Sequence, residues 1–119
     1  MRDHRKLSTF TLGHALVILT YQKTQHFPVE ERCGLVSQMR RSAVSVPANI
    51  VEGCARFSNK EYVRFLEYAF GSLRELSYHI QLSRDLGYLG SDAYEELDVL
   101  SRRTSAALAA LIRVRRTSS

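Results

Sequence analysis

Apolar residues recur along this chain at steps of three and four, interrupted by short polar stretches. That spacing predicts helices, since a half-buried strand alternates at every second residue, and neither such alternation nor an Asn-Gly hairpin signal occurs. The first helical segment, residues 10 to 26, sets Leu12, Ala15, Leu16, Leu19 and the stem of Lys23 on one face. It ends at Phe27-Pro28, because a proline pushes the residue before it out of the helical region. Pro28 followed by Glu30 and Glu31 suits the opening turn of the second helix, where a missing amide costs nothing and carboxylates meet the positive end of the dipole. Gly34 leaves the exact start open. In the third segment Ser58 and Glu61 form a capping box, and Phe57 and Tyr62 hold the positions of a hydrophobic staple. Its stripe of Tyr62, Phe65, Leu66, Ala69, Leu73, Leu76 and Ile80 runs on to Gly87, where a left-handed residue turns Tyr88 back toward Leu82. The fourth segment starts near Ser91 or Asp92, with Asp92 and Glu95 as another capping box. Leu97, Leu100, Thr104, Ala107, Leu111 and Val114 form its inward stripe.

Short connections between long helices predict an all-α fold, an antiparallel up-down-up-down four-helix bundle. Residues 8 to 116 make one domain, with 1 to 7 and 117 to 119 as flexible ends. The second helix carries more grease than such a bundle needs. Leu35, Met39, Ala43, Val46, Ile50 and Cys54 form its core stripe, while Val44, Pro47 and Val51 carry apolar surface well round to one side. Pro47 lacks an amide hydrogen and its ring presses on the carbonyl one turn back, at a cost of about 3 kcal/mol, so a proline-kinked second helix is expected. Small neighbours, Ala43, Ser45 and Ala48, let another helix approach the bend. Either the bundle packs unusually tightly around this helix or another subunit covers the strip; the second is favoured, so Val44, Pro47, Ala48 and Val51 are the candidate subunit interface and a homo-oligomer is the expected state.

Composition narrows the class. With 119 residues, 45% hydrophobic and 24% charged, the chain fits one soluble globular domain. No stretch approaches the roughly 18 apolar residues of a membrane helix, and no cleavage site follows the basic start, which reads as the beginning of a cytoplasmic protein. Cys33 and Cys54, placed on one continuous helix, stand roughly 30 Å apart, beyond disulfide reach, so free thiols are expected. A net charge of +5 points to an acidic partner, nucleic acid first, although the same excess also serves solubility.

The run QMRRSAVSVPANIVEGCARFSNKEYVRFLEYAFGSLREL, followed by DLGYL, resembles a family of small bacterial four-helix-bundle proteins encoded in intervening sequences of large-subunit ribosomal RNA genes. The same family includes the accessory variability determinant of diversity-generating retroelements. The resemblance spans residues 12 to 115 and is sharpest in SVPANIVEG, GSLREL and LGYL. It implies a ring-like homopentamer and, for the retroelement members, a basic non-enzymatic partner of nucleic acid and a reverse transcriptase.

Candidate chemistry is sparse. Arg41, Ser45, Asn49, Glu52 and Arg56 share an arc of about 80° on the second helix, and Ser45, Asn49 and Glu52 stand in the motif itself. They read either as a contact or ligand network repeated around a ring, or as solvated surface with an ordinary Glu52–Arg56 pair. Arg102, Arg113 and Arg116 lie on one face of the last helix with Arg103 and Arg115 nearby; with Arg41 and Arg56 they are the candidate nucleic-acid contacts, the plain alternative being a charged helix end. His4, His14, His26 and His79 have no metal-ligand spacing, H-E-x-x-H is absent, and no glycine-rich phosphate loop exists. No catalytic residue, metal or cofactor is expected. The reading is a non-enzymatic homo-oligomer binding RNA, DNA or a nucleic-acid-associated protein through a basic surface; the alternative is a structural or protein-interaction adaptor.

Overall fold

The computed structural model describes residues 2–118. Four helices dominate: α1 Ser8–Thr24, α2 Leu35–Cys54, α3 Asn59–Asp85 and α4 Ser91–Arg116, with short 3-10 turns at His4–Lys6 and Val29–Glu31. Among the described residues there is no strand. Each helix packs on the next and α4 returns to α1, with no diagonal pair in contact, so the chain is a four-helix bundle. In every neighbouring pair the early part of one helix meets the late part of the other: Gly13 lies by Val46 and Pro47, Met39 by Ser83, Asn59 by Arg115, and Lys23 by Glu96. No helix is long and apolar enough to cross a membrane.

Where start and stop signals coincide, the boundaries follow them. Ser58 caps α3 by accepting the Glu61 amide at 3.1 Å. At the other end Gly87 adopts φ +80°, the Gly87 amide donates to the Arg84 carbonyl and the Tyr88 amide to that of Ser83, both at 2.9 Å. This is the double bond of a Schellman stop. Other signals were outcompeted. Pro28 opens the 3-10 turn rather than α2, which starts beyond Gly34. Asp92 does not cap α4; the cap position is Gly90, and Asp92 only places its charge in the first turn. The Phe57–Tyr62 staple is absent, because Phe57 points into solvent and the Tyr62 ring is covered by Arg2, whose Cζ lies 4.1 Å from the ring centre. Residues 2 to 7, expected as a loose end, hold that turn and that contact. Met1 and Ser119, assigned to the flexible ends, lie outside the described residues.

The core stripes of α2 and α3 match their spacing except at Leu35, where Val36 is buried instead, and at Phe65, which is half-covered, but those of α1 and α4 are rotated. α1 buries Thr9, Gly13, Leu16, Thr20 and Thr24, leaving Ala15 exposed. α4 buries Leu97, Ser101, Thr104, Leu108 and Ile112, with Val114 in water and Leu100, Ala107 and Leu111 only half covered. The reason is local. Thr20, Thr24 and Thr104 donate their hydroxyls to carbonyls one turn back, at 2.7, 2.8 and 2.7 Å, so each presents a methyl to the core with its polar atom already satisfied. These small faces let the helices approach closely.

Pro47 lies on such a contact. α2 remains helical through it, and its ring is buried against α1, 3.7 Å from where a Gly13 side chain would begin. Pro47 therefore leaves the candidate subunit strip: its own chain already covers it. Gly71 is the opposite case, an α3 glycine with nothing within 4 Å of a Cβ. Gly71→Ala should raise stability by about 1 kcal/mol, the ordinary helix-propensity gain, visible as a higher midpoint in urea.

Candidate functional site

Folding sorts the charges into two unlike halves. Cutting each helix at its midpoint divides the 17 Lys and Arg and the 12 Asp and Glu by end. The half with the starts of α1 and α3 and the ends of α2 and α4 holds nine cations, Arg2, Arg5, Lys6, Arg56, Lys60, Arg64, Arg113, Arg115 and Arg116, against four carboxylates, Asp3, Glu52, Glu61 and Glu67. The other half holds eight of each. The entire formal charge of +5 thus sits at one end of a bundle whose longest axis is 47 Å.

At this basic end Arg5, Arg56, Arg64 and Arg116 pair with Asp3, Glu52, Glu61 and Glu67. Arg2, Lys6, Lys60, Arg113 and Arg115 have no carboxylate partner among the described residues. Arg2 and Arg115 both stack on Tyr62, at 4.1 and 5.6 Å, and Arg2 also donates to the Arg56 carbonyl at 2.9 Å. Asn59 ties the start of α3 to the end of α4 by donating to the Arg115 and Ser118 carbonyls at 2.8 and 3.0 Å. Two adjoining open grooves run between these helices, of about 580 and 450 Å³. Lys60, Arg64 and Arg116 line the first, and Arg113 and Arg116 the second.

The candidate contacts from the sequence divide accordingly. Arg56, Arg113, Arg115 and Arg116 fall at the basic end. Arg41, Arg102 and Arg103 fall in the neutral half: Arg41 is held by Glu75 and by Gln38 at 2.9 Å, and Arg102 by Asp98 at 2.9 Å. Arg2, Arg5, Lys6, Lys60 and Arg64 were missed, since they come from two short stretches far from the carboxyl-terminal arginines and join that cluster only through the fold.

The motif polar residues form a seam between α2 and α3. Ser45 and Ser72 share a hydrogen bond at 2.8 Å, and Asn49 donates to the Ser45 carbonyl and hydroxyl at 2.8 and 2.9 Å. Further along, Glu75 meets His79 at 3.0 Å as well as Arg41. The His79 hydrogen bond, with Arg41 beside it, holds the Glu75 carboxyl below its usual range, so the stability from this group is in place above that range and is lost as pH falls through the lowered pKa. Glu52 pairs with Arg56 at 2.6 Å. Gly53 explains the end of the motif: a Cβ there would lie 2.9 Å from Phe65 Cβ and 3.3 Å from the Tyr62 carbonyl, so the helices touch backbone to backbone.

Val44, Ala48 and Val51 are exposed. Val44 and Val51 lie at helical spacing with Arg40 and Pro47, the flank of α2 that meets α1. Across it α1 exposes Ile18 and Tyr21, and these four side chains are between 37% and 47% exposed. The surplus apolar surface is thus shared by two helices. Burial pushes the Cys54 thiol up, away from the reactive thiolate. Among the described residues no group of three or more His, Cys, Asp and Glu side chains is arranged to hold a metal ion.

Residues 5–110 match the family described as 23S rRNA-intervening sequence protein. The chain belongs to that family. Its intervening-sequence fold also matches the crystal structure of a protein of unknown function from the S23 ribosomal protein family of Bacteroides thetaiotaomicron, with a TM-score of 0.77 and 21% identity over 87% of this chain and 97% of that one. At that identity the likeness shows the intervening-sequence bundle and nothing about its ligands. Among curated proteins none matches.

Proposed function

We propose that this intervening-sequence protein is a non-enzymatic helical scaffold that binds nucleic acid, alone or as part of a nucleoprotein partner, through the basic end of its bundle. The observation that carries this reading is the confinement of the whole formal net charge to one end, where five cations lack a carboxylate partner among the described residues. A solubility charge has no reason to segregate, whereas a phosphate chain needs its counter-charges together. Membership of a family of 23S rRNA-intervening sequence proteins, and likeness to a protein of the S23 ribosomal protein family, make RNA the first ligand to try. Fluorescence anisotropy of a labelled RNA across a salt series tests it: binding should weaken steeply with added salt. Absence of binding even at low salt would contradict it and leave an adaptor role.

The apolar flank of α1 and α2 supports self-association, with a pentamer as the assembly implied by resemblance. The free thiols Cys33 and Cys54 suit a reducing cytoplasm. A variant carrying both Val44→Glu and Val51→Glu should remain helical by circular dichroism and fall to a smaller mass by light scattering. Unchanged mass would remove this flank as the interface.

A further inference from the structure

One residue at the basic end has no structural role in its own chain. Phe57, in the turn between α2 and α3, is 99% exposed, while every other large apolar side chain in the described residues keeps some cover. The expected packing on Tyr62 is not made, since Arg2 and Arg115 stack there. The turn beneath Phe57 is firm: the Ala55 and Arg56 amides donate to the Glu52 and Gly53 carbonyls at 3.2 and 3.1 Å, and Ser58 caps the following helix. Arg56 precedes the ring and Lys60 follows it within one turn. An aromatic ring is thereby presented to solvent on a firm turn, between Arg56, which pairs with Glu52, and Lys60, which has no carboxylate partner among the described residues.

We propose that Phe57 is a stacking platform for an unpaired base, so that the ligand of the basic end is a single-stranded nucleic acid. This rests on the reading of that end as a nucleic-acid surface and adds which form is bound. Cations hold phosphates of either form. A protruding ring gains from a base face, which a single strand offers and a duplex keeps inside its stack; such stacking is sequence-tolerant because every base has a π-face. The turn beneath the ring is already ordered, so binding freezes only the two side-chain torsions of Phe57.

The chain contains no tryptophan, so Phe57→Trp installs a single emission probe at the site. Labelled polyuridine and an RNA duplex of equal length are titrated against the full chain, Phe57→Ala and Phe57→Trp. Wild type should bind the single strand more tightly than the duplex. Phe57→Ala should weaken single-strand binding by about 10-fold, within the range of one lost stacked base, leave duplex binding unchanged, and keep the same salt slope because no phosphate contact is lost. Phe57→Trp should retain single-strand affinity, with emission quenched as the base stacks. If both forms bind equally, Phe57→Ala is silent and the tryptophan emission is unmoved, stacking is refuted while the basic end stands. If neither form binds wild type, the basic-end reading falls and stacking falls with it. A loss of oligomer mass in Phe57→Ala, read by light scattering, would make the ring a subunit contact and overturn the proposal.

Discussion

Gly53→Val should destabilise the bundle by about 3 kcal/mol, and Gly53→Ala by about 1 kcal/mol, although alanine is the better helix former. Gly53 is the one glycine of SVPANIVEG and sits where α2 meets the first turns of α3. A Cβ at this site begins 2.9 Å from Phe65 Cβ, an atom bound directly to the α3 backbone that no rotamer change can move aside. The two helices must separate, which loosens Tyr62, Leu66 and Ile50, all fully buried. Crowding in a packed core costs about 1–3 kcal/mol, against about 1 kcal/mol gained from replacing glycine in a helix. Crowding therefore wins at Gly53, and propensity wins at Gly71, where nothing stands within 4 Å. Paired thermal melts of the alanine variants should move in opposite directions. A rise for Gly53→Ala would mean that the backbone approach is not there.

The pair also marks how far a single sequence can be read. α3 was legible throughout because a serine cap, a regular stripe and a glycine stop agree within one segment. The α4 stripe, right at Leu97 and Thr104, was rotated because apolar counting favours Leu100 and Val114 over Ser101, and α1 because it passes over Thr20 and Thr24, although a threonine that bonds its own helix behaves as a core residue. The motif glycine was visible, but its purpose depends on a helix-to-helix distance that no local pattern encodes. For the same reason the sequence offered only Arg56 and the clustered arginines of the carboxyl-terminal run, Arg113, Arg115 and Arg116, from the basic end. Arg2, Arg5, Lys6, Lys60 and Arg64 come from segments that only folding gathers. Phe57 was misplaced because its intended partner is occupied by Arg2, 55 residues earlier in the chain.

Reversing Lys60, Arg113 and Arg116 to glutamate should lower nucleic-acid affinity by roughly 100-fold or more at low salt and reduce the salt slope by about 2. All three side chains are exposed and line the two adjoining grooves. The one ion pair lost, Arg116 with Glu67, lies at the surface, where such pairs contribute about 1 kcal/mol or less, so the fold should survive. Net charge alone would also predict some loss, because six units of charge change in a small protein.

A matched variant separates place from amount. Arg32, Arg74 and Arg103 are likewise exposed, have no carboxylate partner among the described residues, and belong to the neutral half. Their reversal to glutamate alters the total charge by the same amount. Anisotropy titrations of the two triple variants against one labelled RNA at one salt concentration should show a large loss for the basic-end variant and a small loss for its counterpart. Equal losses would show that affinity follows total charge, and the end-specific binding surface would be contradicted.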